Sequence, residues 1–278
     1  MKILDVSQNQ LQRIQSKSLM AMTKLKKLHL YENELDQFED NTFAGLAELE
    51  VLDLNHNKIK CVKKLTFMGL VSLITLYLDF NQIETVEPNA FVYLAHLQTL
   101  NLANNRIKAV DDYAFKGLGS LEFLTLNHNQ IGSIEHEPFS YLRSLKTLDL
   151  NNNLLTAIGT SYFSGMSSLE KLDLSNNQIA AVNLRSFIGL IKLSQLSLVS
   201  NPVVYDSLAV KSLKEFYKSL AIKLSSETTT TPRYTPNPGV YPSTMPYSKI
   251  NVYSNILEKF SFSSTPKLGT LPSSYNKH

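Results

Sequence analysis

Cys61 is the single cysteine of this 278-residue chain, so no disulfide can close within it. Tryptophan is absent, and glycine and proline number ten each. No glycine-rich phosphate loop and no spaced pair of acid/base carboxylates can be picked out, which removes the usual sequence grounds for an enzyme. No apolar run reaches about eighteen residues, so no transmembrane helix is encoded. The opening MKILDVSQNQ lacks the apolar stretch of a secretory leader, and no Asn-x-Ser/Thr acceptor occurs despite the many asparagines. Charge of one sign is also scarce. Net charge is +3, and residues 225–278 carry all of it, which leaves the first 224 neutral. A neutral body argues against nucleic acid as the main partner.

What is present is a repeat. The segments LKKLHLYENELDQFEDNTFAGLAE (25–48), LEVLDLNHNKIKCVKKLTFMGLVS (49–72) and LITLYLDFNQIETVEPNAFVYLAH (73–96) align with a period of 24 and no insertion. Asparagine recurs at Asn9, Asn33, Asn57, Asn81, Asn105, Asn129, Asn153, Asn177 and Asn201. An apolar column follows two residues later, from Leu11 and Leu35 through Ile59 to Ile179. A third column starts at Leu19 and continues as phenylalanine from Phe43 to Phe187. Leucine pairs such as Leu28/Leu30 and Leu52/Leu54 alternate with polar residues, the period of a half-buried strand. Parallel strands need long connections, and the rest of each repeat supplies one. The asparagine falls where the chain leaves the strand, where its amide can satisfy backbone groups that the turn leaves unpaired. Eight full repeats and the strand of a ninth cover residues 1–201.

These columns resemble the leucine-rich repeat family in its typical 24-residue form, LxxLxLxxNxLxxLxxxxFxxLxx. The resemblance implies an α/β repeat solenoid, a horseshoe with a concave parallel β-sheet and an irregular or short-helical convex side. It also implies a C-terminal cap opening NPWxCDC. Here Asn201, Pro202 and Asp206 match, whereas Val203, Tyr205 and Ser207 replace the tryptophan and both cysteines. The segment 206–224 still reads as a helix, with Leu213, Phe216, Tyr217, Leu220 and Leu224 on one stripe, so 202–224 is expected to cap the solenoid by packing alone. At the other end no polar cap precedes Leu4, Val6, Leu11 and Ile14. Either the chain is a piece of a longer product, or the bare coil is covered by a partner or by homo-association with a second copy. Residues 225–278 hold seven of the ten prolines and form a Ser/Thr/Pro-rich tail without the means to bury a core, either a glycosylated stalk or a plain linker.

Function in such a scaffold is expected at the exposed strand positions between the buried leucines. The residue inside each LxL reads Asp5, His29, Asp53, Tyr77, Asn101, Thr125, Asp149, Asp173 and Ser197. Two residues on, the column reads Ser7, Tyr31, Asn55, Asp79, Ala103, Asn127, Asn151, Ser175 and Val199. With His56, Phe80 and Phe123 alongside, aromatics concentrate in repeats two to six. His29, Tyr31, Asp53, His56, Tyr77, Asp79, Phe80, Asn101 and Phe123 are the candidate partner-binding residues, aromatics framed by polar groups being the mark of a protein-binding patch. The competing reading is scattered surface aromatics. His29 near Asp5 or Asp53 reads as a surface ion pair, because no serine or cysteine nucleophile lies near it in that column. No compact metal-ligand motif, cofactor motif or catalytic constellation is present. Cys61 reads as an inert thiol or an intermolecular disulfide partner.

The leading expectation is a non-enzymatic module for a protein ligand, secreted or at the cell surface, of the adhesion, matrix or innate-immune kind that the resemblance suggests. The alternatives are a fragment of a receptor ectodomain and a cytoplasmic scaffold.

Overall fold

The computed structural model describes residues 1–204 and 221–223. They fall within one compact unit, Met1–Tyr234. Its backbone is a ten-stranded parallel sheet, one three-residue strand per turn of the chain. The strands are Ile3–Asp5, Lys27–His29, Val51–Asp53, Thr75–Tyr77, Thr99–Asn101, Phe123–Thr125, Thr147–Asp149, Lys171–Asp173, Gln195–Ser197 and Ala221–Lys223. Register is constant over the first nine, so Leu4 faces Leu28, Leu28 faces Leu52, and so on to Leu196. The invariant period forces this, since a slip of one residue would turn every leucine outward.

Three ladders hold neighbouring coils together. The first is apolar: the LxL leucines from Leu28 to Leu198 are buried. The second is amide. Asn57 Nδ2 donates to Leu54 O (3.1 Å) and, one coil back, to Leu30 O (3.0 Å), while Asn57 Oδ1 accepts from Leu35 N (3.0 Å). The same set recurs at every twenty-fourth residue from Asn33 to Asn201. The third is aromatic. Phe43 to Phe187 form a buried column with ring centroids 5.8–6.4 Å apart. The connections are mostly turns. Short pairings join Cys61–Val62 to Thr85–Val86 and Ala109–Val110 to Ser133–Ile134, and Leu184–Phe187 forms a 3-10 helix. Glycine is needed at two close approaches: a Cβ on Gly45, at φ +94°, would lie 2.6 Å from Met20 O, and one on Gly117, at φ +98°, 2.8 Å from the Val92 backbone.

The C-terminal expectation needs correction. Residues 221–223, assigned from the sequence to the capping helix, form a strand that pairs with Gln195–Ser197, Ile222 opposite Leu196. The edge of Gln195–Ser197 offers unpaired backbone groups, and a further strand satisfies them. The proposed stripe residues Leu213, Phe216, Tyr217, Leu220 and Leu224, and the tail from 225, lie outside the described residues. No helix among the described residues is long and apolar enough to cross a membrane.

Candidate functional site

The first concave column follows a local rule. In five of the coils an Asp or Asn inside the LxL pair uses a side-chain oxygen to accept from the backbone N–H two residues on. Asp5 accepts from Ser7 (3.0 Å), Asp53 from Asn55 (3.2 Å), Asn101 from Ala103 (3.1 Å), Asp149 from Asn151 (3.0 Å) and Asp173 from Ser175 (2.9 Å). The turn leaving the strand frees that N–H, and a short polar side chain is the nearest acceptor. Ser7 and Ser175 add hydroxyl bonds of 2.6 Å to the same oxygens. The Ser7 hydroxyl and N–H hold Asp5 below the usual carboxylate range.

Coil four breaks the rule. Tyr77 takes the acidic position, and the carboxylate appears two residues later at Asp79. Asp79 is 5% exposed, and its Oδ1 has no hydrogen-bond partner; Asp36 Oδ1 is the other buried oxygen in that state among the described residues. Burial raises Asp79 to about 7, against the pull of its own backbone N–H and with a further push from the charge of Asp53. The second column was expected to be exposed, and at Asp79, Ala103 and Ser175 it is not. With strands about 4.8 Å apart, short side chains in this column are covered by the rungs on either side. Asp53 is also pushed upward by burial, which the Asn55 N–H and His29 partly offset. Burial raises Asp149 to about 6, with the Asn151 N–H opposing and Asp173 assisting.

Around Asp53 and Asp79 the remaining predicted residues gather. His29 Nδ1 lies 3.9 Å from Asp53 Oδ2, and the His29 and Tyr31 rings meet edge to face at 6.3 Å. His56 and Phe80 stack in parallel, centroids 4.3 Å apart with 7° between planes. Tyr77 stands in register between Asp53 and Asn101. Asn101 Oδ1 is engaged by the Thr125 hydroxyl at 2.7 Å, so it belongs to a polar strip beside the aromatics. Phe123 does not join the cluster. It is 40% exposed at the entry end of its strand, in register with Thr99, whereas Phe80 lies at the exit of the Thr75–Tyr77 strand.

One feature escaped the sequence reading. His56 (φ 51°) and Phe80 (φ 53°) belong to a column of left-handed residues that also holds Gln8, Glu32, Asn104, His128, Asn152, Asn176 and Ser200. Asparagine tolerates this conformation, while a bulky aromatic there is an outlier. The signal available in sequence was a fixed repeat position holding three asparagines, one serine, one glutamine and one glutamate with two histidines and one phenylalanine. The backbone thus turns both rings outward from the same place in successive coils. Among the described residues no group of three His, Cys, Asp or Glu is disposed to hold a metal ion. The arrangement suits recognition: an acidic floor, two planar rings in contact and further aromatics at the rim.

The comparisons agree with this architecture. The family profile described as leucine rich repeat matches residues 1–59, 48–107, 95–155 and 143–203. Among solved structures, the crystal structure of a TLR13–ssRNA13 complex is 27% identical with a TM-score of 0.59, over 80% of this chain and 36% of that one. A leucine-rich repeat protein of Leptospira interrogans is 24% identical with a TM-score of 0.62, over 80% of this chain and 60% of that one, a likeness of fold alone. The chain therefore spans about a third and three-fifths of the lengths of these two structures. A comparison with curated proteins returns no match. With four profile matches running in succession from residue 1 to residue 203, the chain belongs to the leucine-rich repeat family.

Proposed function

We propose that the chain is a non-catalytic recognition module that grips a protein partner on its concave face. The contact residues would be His29, Tyr31, Asp53, His56, Tyr77, Asp79, Phe80 and Asn101, with Phe123 at the margin. The observation that carries this reading is the aromatic cluster over an acidic floor in coils two to four, on a sheet whose later coils present Asp149, Asn151, Asp173 and Ser175 instead. Half-buried aromatics already held in place in the free protein give contact area at little ordering cost. The TLR13 structure holds a single-stranded RNA. An RNA on this face would meet Asp5, Asp53, Asp149 and Asp173, whose charges repel phosphate. A secreted or cell-surface setting is the companion proposal, supported by the repeat type and the Ser/Thr/Pro-rich tail, with a cytoplasmic scaffold as its alternative. Epitope-tagged protein recovered in the medium supports the first, and protein confined to the cytosol supports the second.

The test of the binding face is a paired variant, Tyr77→Ala with Phe80→Ala. Both side chains lie on the solvent side of the sheet, so thermal melting is expected to stay within a few degrees of wild type. Binding to a partner captured from the source tissue is expected to fall at least about tenfold, as for central aromatic contacts. Undiminished binding by the folded double variant assigns recognition to another surface.

A further inference from the structure

The displaced carboxylate of coil four narrows the partner chemistry. Where the first-column rule holds, each acidic or amide side chain has a donor in its own coil, just past the strand. Asp79 has none for Oδ1, although it is nineteen-twentieths buried. A desolvated carboxylate without a donor costs a fold stability and is ordinarily neutralised or paired. Its neighbour Asp53 uses Oδ1 for the Asn55 N–H, and its Oδ2 lies 3.9 Å from His29 Nδ1, outside hydrogen-bond reach. Asp79 Oδ1 is therefore unmatched by a protein donor, Asp53 lies on the adjacent coil, and His56 and Phe80 of the same two coils stack in parallel.

We propose that this cluster takes an arginine side chain of the protein partner, its guanidinium stacking on the Phe80 ring and bonding the Asp53 and Asp79 carboxylates. The proposal rests on the concave-face reading above. A cation is indicated by acid and aromatic faces together. Arginine is preferred over lysine because a flat fork of donors matches both a ring plane and two carboxylates, whereas an ammonium is a compact, strongly hydrated point charge. Asp79 Oδ1 is covered, so it must rotate about its side-chain bonds to meet the ligand; Oδ1 gives up no donor in doing so, and the pull of the residue's own backbone N–H is what the guanidinium has to replace.

Protons provide a readout that simple adhesion would not. The titratable groups near Asp79 are Tyr77 on its own strand and His29, Asp53 and His56 on the preceding coils; Asn101, Ala103 and Asn104 on the following coil carry none. Asp79 sits at about 7, raised by burial and by Asp53. A bound guanidinium favours the ionised form, so binding expels a proton near neutrality and strengthens as pH rises.

The experiment uses the full chain and a capped Gly/Ser peptide bearing two arginines, with its lysine and citrulline counterparts, titrated calorimetrically at pH 6 and pH 8. The arginine peptide is expected to bind about tenfold tighter than the lysine peptide, and citrulline to abolish binding. Affinity for arginine is expected to rise about tenfold between the two pH values, with proton release seen as a buffer-dependent heat. Asp79→Asn should remove both the pH rise and most of the affinity, while Asp149→Asn with Asp173→Asn should leave both in place. Equal binding of arginine and citrulline peptides overturns the proposal. So does an Asp79→Asn protein, folded by circular dichroism, that keeps wild-type affinity and pH dependence, or an equal loss in the Asp149/Asp173 variant, which would mark the attraction as long-range charge. If a captured partner depends on Tyr77 and Phe80 but the arginine peptide fails to compete with it, the concave-face reading stands and this inference falls. A partner indifferent to the Tyr77/Phe80 pair removes the underlying reading instead.

Discussion

Asp79 ties stability to pH through a single side chain. Its carboxyl is at about 7 in the fold against an ordinary value of 3.8, so the native state prefers the protonated form. For a group raised on folding, its contribution is complete below the unfolded value and is lost as pH climbs through the folded value. The penalty therefore grows between pH 4 and pH 7 and is then constant. Asparagine has nearly the same shape and no charge to desolvate. Asp79→Asn is expected to melt like wild type near pH 4 and above it at pH 8, with a ceiling of roughly 4 kcal/mol from the size of the shift. Melting curves of the two proteins across that range check it, and parallel curves would show that Asp79 is not desolvated in solution. The same substitution should weaken arginine binding, so this residue is where stability and recognition pull in opposite directions.

At the scale of the element, the asparagine ladder decides whether one coil can follow another. Asn105 Nδ2 donates to Leu78 O (3.0 Å) and Leu102 O (3.1 Å), and Asn105 Oδ1 accepts from Ile83 N (2.9 Å), all in buried surroundings. Alanine leaves the Ile83 N–H unmatched, while Leu78 O and Leu102 O each lose one donor and keep another, Asn81 and Asn129. At about 1–3 kcal/mol for a buried group left unmatched, Asn105→Ala should cost about 1–3 kcal/mol in urea unfolding. Asn9, whose amide bonds are exposed, is the internal control: Asn9→Ala should cost under about 1 kcal/mol. Equal costs at the two sites would mean that exposure does not set the ladder's strength.

The whole solenoid behaves as a one-dimensional stack, because each coil buries its apolar side only against its neighbours. Phe91, fully buried, stands between Phe67 at 5.9 Å and Phe115 at 6.2 Å. Phe91→Ala opens a cavity in the column and should cost about 3–5 kcal/mol. The stack also predicts where the damage goes. Amide exchange should quicken in the coils carrying Phe67, Phe91 and Phe115 and stay near wild type around Phe163 and Phe187. Uniform quickening from end to end would instead indicate a single cooperative core.

The period of 24 by itself determined the strands, the register, the amide ladder and the phenylalanine column, because each coil repeats the same problem of burying one apolar flank. It also brought His29, Asp53, Tyr77 and Asn101 to adjacent rungs, since residues 24 apart in such a repeat become neighbours. Three matters were decided only by the tertiary structure. Ala221–Lys223 became a tenth strand, because an edge offers hydrogen bonds that no local pattern announces. The left-handed backbone at His56 and Phe80 stacked two rings, because the turn geometry is imposed by the coils around it and overrides the preference of the residue. Asp79 was buried with its Oδ1 left without a donor, because exposure on a concave face depends on the height of the side chains in the neighbouring rungs, and no single repeat contains that information.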